Sequence, residues 1–117
     1  MRTERIDLQY NANIRRLQDI ELFDENWNGY GASKFDKLLI NNIANVLPNL
    51  FCQPRIFPTS RDSIQLEYET KNGGYLEFEV FSDRVEMFYE ENGGQTHQTV
   101  WTSLSAETLN KEILRFT

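Results

Sequence analysis

Apolar residues recur along the first part of the chain at steps of three and four, with Arg and Asp between them. The stripe consists of Ile6, Tyr10, Ile14, Leu17 and Ile20. This spacing places apolar side chains on one side of an α-helix. We therefore expect an amphipathic helix that ends in the stretch DENWNGYGAS, Asp24 to Ser33, where glycine and asparagine interrupt the pattern.

A second helical pattern follows this loop. Ser33 and Asp36 have the spacing of a capping box, in which a hydroxyl and an acid satisfy free backbone N–H groups. The apolar positions that follow at helical spacing are Phe35, Leu38, Leu39, Ile43, Val46 and Leu47. Pro48 lacks a backbone donor and disfavours helix at the residue before it. We expect the helix to begin near Ser33 and to end at Leu47.

The middle of the chain changes from helical spacing to alternation. Every second residue is apolar in DSIQLEYE, YLEFEVF and RVEMFYEE, and most positions between are glutamate. Alternation predicts antiparallel strands with one apolar face. QPRIFP, which contains Pro54 and Pro58, predicts an edge strand because proline cannot donate to a central ladder. QTHQTVW, after the turn NGG, predicts a last strand whose register the pattern does not determine.

The turns define how the alternating strands pair. A three-residue loop at KNG, with its glycine in the left-handed conformation, places Leu66 opposite Phe78. A two-residue turn at SD places Phe78 opposite Met87. Both pairings keep the apolar residues on one face, so the two predicted hairpins agree with each other.

The chain closes with a third helical pattern, in which Leu109, Ile113 and Phe116 form the stripe. Ser105 is a good N-cap, and Leu104 and Leu109 have the spacing of a hydrophobic staple. Amphipathic helices and an amphipathic sheet bury each other's apolar faces in two layers. We predict a single α+β domain over residues 1–117. Its antiparallel meander of about four or five strands carries the two N-terminal helices and one C-terminal helix on one face.

The balance of charge narrows the class of partner. The formal net charge is −6, which disfavours DNA and RNA because their binding needs Lys and Arg against the phosphates. An acidic surface instead favours a basic partner. No apolar stretch approaches the about 20 residues of a membrane helix, and the start MRTERIDLQY lacks the apolar core of a signal peptide. The expected compartment is the cytoplasm.

Residue types that support catalysis or metal binding are scarce. His97 is the one histidine and Cys52 the one cysteine, which disfavours a zinc site. Cys52 follows the apolar run VLPNLF and is interpreted as a small core residue, and His97 as a surface residue of a strand. Neither a dinucleotide-binding nor a P-loop motif is present. We expect no catalytic residue, no metal and no cofactor.

The polar face of the predicted sheet is acidic. Between residues 62 and 91, nine acids face two bases. The predicted registers place Glu67 opposite Glu77 and Glu79 opposite Glu86, and like charges so placed cost roughly 0.2–1 kcal/mol per pair. Phe88 lies on the same face, and an aromatic among carboxylates is typical of an interface. We predict that these five residues bind a basic protein. The alternative is a solvated face, partly covered by Arg or Lys from the termini.

The loop WNGYGA has several interpretations. Its glycines permit positive φ or close backbone approach, and the helix N-terminus after it could hold an anion. Asp24 and Glu25 before the loop disfavour an anion. Trp27 and Tyr30 could instead close the end of the core, which we favour, or line a ligand pocket.

The loop also carries a resemblance. ENWNGYGA, followed by a helix and then by PRIFPTSRDSIQLEYE, resembles a pattern of small uncharacterised bacterial proteins over about residues 25–80. In that group, Trp-(Asp/Asn)-Gly-Tyr-Gly-Ala precedes a helix, and a proline-rich piece leads into a strand. The motif residues here are Trp27, Asn28, Gly29, Tyr30 and Gly31. The group has no established activity, so the resemblance implies a bacterial cytosolic protein, accessory or antitoxin-like, and no catalytic residue.

Three functions remain open from the sequence. The leading one is a non-enzymatic cytosolic protein-interaction module with an acidic sheet face, either a monomer or a weak dimer. The second is a small-ligand-binding protein or enzyme with a pocket near Trp27 and Tyr30. The third is a protein that self-associates through the proline-flanked edge strand or the sheet face.

Overall fold

The structure is a computed structural model that describes the backbone of residues 2–117 and the side chains of residues 8–117. Its elements are, in order, α1 (Arg2–Glu21), α2 (Lys37–Val46), a 3₁₀ turn (Leu47–Asn49), β1 (Arg55–Pro58), β2 (Ile64–Glu69), β3 (Tyr75–Val80), β4 (Val85–Glu90), β5 (Thr96–Trp101) and α3 (Ala106–Phe116). The five strands form one antiparallel sheet in sequential order. The predicted α+β meander is confirmed.

The first helix follows the predicted stripe. Leu17 and Ile20 are fully buried, and Tyr10 and Ile14 pack against the core from a partly buried position. The side chain of Ile6 lies outside the described residues. Within the part of the chain that the structure describes, no helix is both long and apolar enough to cross a membrane.

The second helix begins later than predicted. Asp36, not Ser33, is its N-cap, and the Asp36 Oδ1 accepts from the backbone N–H of Leu38 at 3.0 Å. The predicted capping box is wrong because residues 31–36 form no helix, and the ring of Phe35 is buried in the core. The Ser33 carbonyl accepts from Trp27 instead. The helix ends at Val46, one residue before the predicted end, and Pro48 lies in the 3₁₀ turn.

The strand registers are those that the turns predicted. Leu66 lies opposite Phe78, and Phe78 opposite Met87. Gly73 has φ +79°, as the three-residue loop requires. The register of β5, which the sequence left undetermined, places Thr99 opposite Met87.

One apolar cluster joins the sheet to all three helices of the described chain. The sheet contributes its inner face, which we define as the face toward the helices, and α3 is capped by Ser105 as predicted. The fully buried side chains of the cluster are Leu17, Ile20, Ile43, Leu47, Ile64, Leu66, Leu76, Phe78, Val80, Val85, Leu109 and Ile113.

Cys52 departs from its predicted place in the core and is exposed. Leu50 is the last buried residue of the apolar run before it, and Phe51, the end of that run, is already exposed as the chain leads into β1. The carbonyl of Cys52 accepts a hydrogen bond from the Tyr68 hydroxyl at 2.7 Å. Burial raises the pKa of Tyr68, so the hydroxyl remains a donor at neutral pH.

Replacing Phe78 by Ala should lower the free energy of unfolding by about 3–5 kcal/mol, because the ring is fully buried at the centre of the sheet. Phe57, on the edge strand, is 38% exposed, and its replacement by Ala should cost about 1 kcal/mol or less. Urea unfolding of both variants and the wild type measures the difference. Equal losses would contradict the placement of the core.

Candidate functional site

The five predicted site residues lie on the outer face of the sheet, the face away from the helices. Glu67, Glu77 and Phe88 lie opposite one another across β2, β3 and β4 and form one row, which we call the middle row. Glu79 and Glu86 lie opposite each other in the next row toward the β3–β4 turn, which we call the turn row. Both predicted pairs of facing glutamates are therefore present.

A shallow depression brings most of these residues together. It has a volume of about 270 Å³, and Glu77, Glu79, Glu86 and Phe88 line it together with Arg61. Glu67 lies beside the depression, opposite Glu77 on the neighbouring strand. The middle of the outer face is thus a concave acidic surface with one aromatic ring at its border.

Glu79 is buried, although the alternating pattern predicted a solvated position. Its side chain is 6% exposed, its Oε2 accepts from the Ser63 hydroxyl, and its Oε1 lies 3.2 Å from Arg61 Nη1. The alternating pattern could not show this, because the residues that cover Glu79 belong to the turn between β1 and β2. Glu79 is therefore held in place by a charged hydrogen-bond network.

Two arginines neutralise the turn row. Arg61 Nη2 lies 3.9 Å from Glu86, and Arg84 Nε donates to Glu86 at 2.7 Å. The two guanidinium groups also lie 5.2 and 3.7 Å from the centre of the Phe81 ring, within the range of cation–π attraction. The positive charge that neutralises Glu79 and Glu86 thus comes from arginines in two turns. The alternative prediction was that Arg or Lys of the termini partly cover this face. The basic side chains at the start of the chain lie outside the described residues.

The middle row lacks such ion pairs, although Arg55 on β1 lies opposite Glu67 and pairs with Glu69 at 3.5 Å instead. Among the side chains of residues 8–117, no Lys or Arg forms an ion pair with Glu67 or Glu77. Glu77 Oε1 instead accepts from the Tyr75 hydroxyl at 2.6 Å. Two carboxylates therefore face each other beside Phe88 without an ion pair to a described side chain, although Arg61 is near enough to lower the pKa of Glu77. This row is the part of the face with capacity for a further cation.

The pKa of Glu77 reflects this setting. Partial burial is the largest cause that raises it, and the hydrogen bond from Tyr75 acts in the opposite direction. The nearby charges of Glu79 and Glu67 raise the pKa further, while Arg61 lowers it. Burial and the hydrogen bond to Glu77 also raise the pKa of Tyr75. A cation brought close to Glu77 would therefore relieve the repulsion among these carboxylates.

The sequence interpretation did not include Arg61 or Ser63, and it predicted Tyr75 on the outer face without its hydrogen bond to Glu77. A signal for Arg61 was present, because the register Ile64 opposite Val80 places the β1–β2 turn and the β3–β4 turn at the same end of the sheet. Arg61 in the first of these turns is therefore a neighbour of the acids in the turn row. The hydrogen bond of Tyr75 had no signal in the sequence beyond its place on the outer face.

The loop motif is a self-supporting corner between α1 and α2. Asn28 Oδ1 accepts from the backbone N–H groups of Tyr30 and Ala32, at 2.8 and 3.2 Å. Gly29 and Gly31 have φ of +78° and +87°, which side chains disfavour. Asn28 and the two glycines are therefore explained by the shape of the loop.

Its two aromatic residues have different environments. Trp27 packs between Phe23 and Phe35, with ring centroids 5.3 and 5.7 Å away, and its Nε1 donates to the Ser33 carbonyl at 3.0 Å. Tyr30 is 93% exposed, so the expectation that it closes the core is wrong. Trp27 is packed into the corner and Tyr30 lies outside it, and a depression of about 520 Å³ next to the corner is lined by Phe23 and Phe35 and by neither of these two rings.

His97 lies at the inner face of β5, opposite Tyr89, where the sequence predicted a surface residue. Its ring centroid is 5.8 Å from Tyr89 and 5.5 Å from Phe116, and its side chain is 37% exposed. The residue is thus half-covered by α3. In the described residues, no group of three or more His, Cys, Asp and Glu side chains is arranged to hold a metal ion.

Comparison of the chain with protein-family models, with curated proteins and with solved structures gives no significant match.

Replacing Glu77 by Gln should raise the free energy of unfolding at neutral pH by a few tenths to about 1 kcal/mol, the size of a cross-strand like-charge term. Gln keeps an oxygen for Tyr75 and removes the charge opposite Glu67. Since folding raises the pKa of Glu77, this carboxyl favours the folded state at low pH and loses that contribution as pH rises through the folded pKa. The gain in the variant should therefore vanish below about pH 4, where the wild-type carboxyl is protonated in both states. Denaturation at several pH values measures it.

The matched control is Glu79→Gln on the same strand and face. It should destabilise the fold by about 1–2 kcal/mol at neutral pH, because it weakens charged hydrogen bonds to Arg61 and Ser63. Changes of the same sign in the two variants would contradict the difference between the two rows.

Asn28→Ala should cost about 1–2 kcal/mol of unfolding free energy, because two backbone N–H groups lose their acceptor. Tyr30→Ala should change the stability by less than about 0.5 kcal/mol, as expected for an exposed side chain. Thermal unfolding of the two variants tests this. A larger loss for Tyr30→Ala would mean that the ring supports the loop.

Proposed function

We propose that this protein is a non-enzymatic, cytosolic interaction module that binds a basic segment of a partner protein on the outer face of its sheet. The observation that carries the proposal is the contrast between the two rows of glutamates. The turn row has two arginines, whereas the middle row, Glu67 and Glu77, has no ion pair among the described side chains. The charge of the middle row favours a cation supplied by another molecule.

Arg61 provides an internal example of the group that this face can hold. Its guanidinium lies 3.2 Å from Glu79 and 3.9 Å from Glu86, and 5.2 Å from the Phe81 ring. The middle row has the same components, two facing carboxylates and the aromatic Phe88. An Arg or Lys of a partner would therefore find a similar combination of ion pairs and cation–π attraction there.

The size of the depression fits one side chain of a partner better than a small-molecule ligand. Its volume of about 270 Å³ falls below the range of roughly 300–1,000 Å³ that is typical of small-molecule pockets. A protein partner would place one basic side chain in the depression and would use the surrounding sheet face for further contacts. The resemblance of the Trp27–Gly31 motif to bacterial proteins suggests an accessory or antitoxin-like role, in which such a face would neutralise a basic protein.

Binding of a labelled peptide tests the proposal. The probe is an extended peptide of about eight alternating Arg and Leu residues, long enough to cross the sheet at about 3.4 Å per residue. The double variant Glu67→Lys/Glu77→Lys should weaken its binding about tenfold or more, since one lost ion-pair site of about 1.4 kcal/mol has that effect. Wild-type affinity should fall as NaCl rises from about 50 to 300 mM, because screening weakens exposed charge contacts. Fluorescence anisotropy measures both effects.

The control is Asp19→Lys/Glu25→Lys, which makes the same change in net charge at two exposed positions away from the outer face. It should change the affinity by less than about twofold, apart from the general effect of net charge. An equal loss in both double variants, or an affinity independent of salt, would overturn the proposal.

A further inference from the structure

The two edges of the sheet are built differently, and the edge at β1 is closed. The register of β1 with β2 turns the backbone groups of Ile56 and Pro58 toward this edge, and Pro58 has no N–H. α1 covers the carbonyls that remain here: Asn13 Nδ2 donates to Pro54 O at 3.0 Å, and Arg16 Nε donates to Ile56 O at 3.3 Å. Another strand could therefore form few hydrogen bonds at β1.

The edge at β5 has none of these protections among the described residues. The strand Thr96–Trp101 is six residues long, and it contains no proline and no Lys, Arg, Asp or Glu. Four of its residues are exposed, and Val100 is 61% exposed. Native edge strands are commonly protected by charge, proline or covering elements. Because β1 has both a proline and a covering helix and β5 has neither, we interpret β5 as an edge that pairs.

The register identifies the backbone groups that are available on β5. The N–H of Glu91 donates to the carbonyl of Gln95 at 2.7 Å. Antiparallel strands alternate between hydrogen-bonded and non-hydrogen-bonded pairs, so His97, Thr99 and Trp101 direct their backbone groups toward β4. Thr96, Gln98 and Val100 direct theirs away from the sheet. In the described residues, no backbone hydrogen bond from another element reaches these three.

We propose that β5 pairs with β5 of a second copy of this chain, antiparallel and with the two-fold axis at Gln98. In this register Gln98 faces Gln98 of the partner copy, and Thr96 faces Val100. All three outward residues then form hydrogen-bonded pairs at once, whereas a shift of two residues in either direction leaves one of them unpaired. A two-fold pairing uses the same surface on both copies, as closed dimers do. The two sheets become one continuous sheet of twice the number of strands.

Net charge opposes this pairing in dilute buffer, and cellular salt screens most of that repulsion. The strand itself contains no Lys, Arg, Asp or Glu, and the nearest acids of the outer face, Glu86 and Glu90, lie on β4. Strands β4 of the two copies would be three spacings apart, about 14 Å, which exceeds the screening length of about 8 Å at physiological ionic strength. Added salt should therefore strengthen the pairing of two chains that each carry net charge −6. Binding of a basic segment to the outer face should weaken under the same change, so the two proposals can fail separately.

Sedimentation of the full chain over about 10 µM to 1 mM tests the pairing at about 300 mM NaCl, where the charges of the two copies are screened. The average mass should rise from 13.8 kDa toward twice that value, and should rise less in about 20 mM NaCl. Gln98→Pro should remain monomeric, since it removes an outward donor and leaves the N–H groups of His97 and Thr99 to the β4 ladder. Gln98→Lys, which places like charges opposite each other at the axis, should also remain monomeric.

The matched control is Phe57→Lys, which adds the same charge on the closed edge strand and should associate like the wild type. Circular dichroism of each variant establishes that it is folded. A wild type that stays at 13.8 kDa throughout, a dimer that survives both Gln98 variants, or a loss of association in Phe57→Lys would each overturn the proposal.

Amide hydrogen exchange followed by NMR tests the register itself. On going from dilute to concentrated protein, exchange should slow at Thr96, Gln98 and Val100 and should stay unchanged at Ile56 on the other edge. The amides of His97 and Thr99 should be protected at both concentrations, because β4 already pairs with them. Slower amide exchange at Ile56 in place of Gln98 would place the self-association at the β1 edge and overturn the proposal.

Discussion

Phe78 lies at the centre of the sheet, with its ring edge-on to Tyr68 at 6.2 Å and tilted against Trp101 at 6.3 Å. These contacts connect β2, β3 and β5 on the inner face, and the helices complete the burial of the ring. Aromatic contacts of this kind add about 0.5–1.5 kcal/mol to the burial of their area. The inner face therefore defines the register of the whole meander, because a slip of one residue would turn every apolar side chain outward.

The register determines which residues lie on the outer face. Once Leu66, Phe78 and Met87 face inward, the glutamates between them must face outward and opposite one another. In the turn row, arginines of the turns offset the electrostatic repulsion between the facing glutamates. Arg61 and Arg84 reach the turn row, whereas the middle row lies two residues further along the strands, about 7 Å away. The absence of ion pairs at Glu67 and Glu77 is thus a consequence of the reach of these two side chains, together with the pairing of Arg55 with Glu69.

The sequence predicted those features that depend on period and turn length. The pairing of Leu66 with Phe78 followed from a glycine loop and that of Glu79 with Glu86 from a two-residue turn, and both are present. The features it missed depend on contacts between distant parts of the chain. Glu79 is buried because the β1–β2 turn folds over it. Phe35 is buried in the core, and α2 begins after it at Lys37 and not near Ser33. Periodicity reports which face a residue occupies, and it does not report what covers that face.

The same limit applies to the loop and to the sheet edges. Trp27 and Tyr30 are equally aromatic in the sequence, yet one is packed between two rings and the other is 93% exposed. Proline marked β1 as an edge strand, and that edge proves to be the protected one, because α1 caps its carbonyls through Asn13 and Arg16. A proline-flanked edge is therefore better understood as a barrier to pairing than as a site for it. The unmarked strand β5 is the edge with its hydrogen-bonding groups available, and only the register of the folded sheet shows which ones they are.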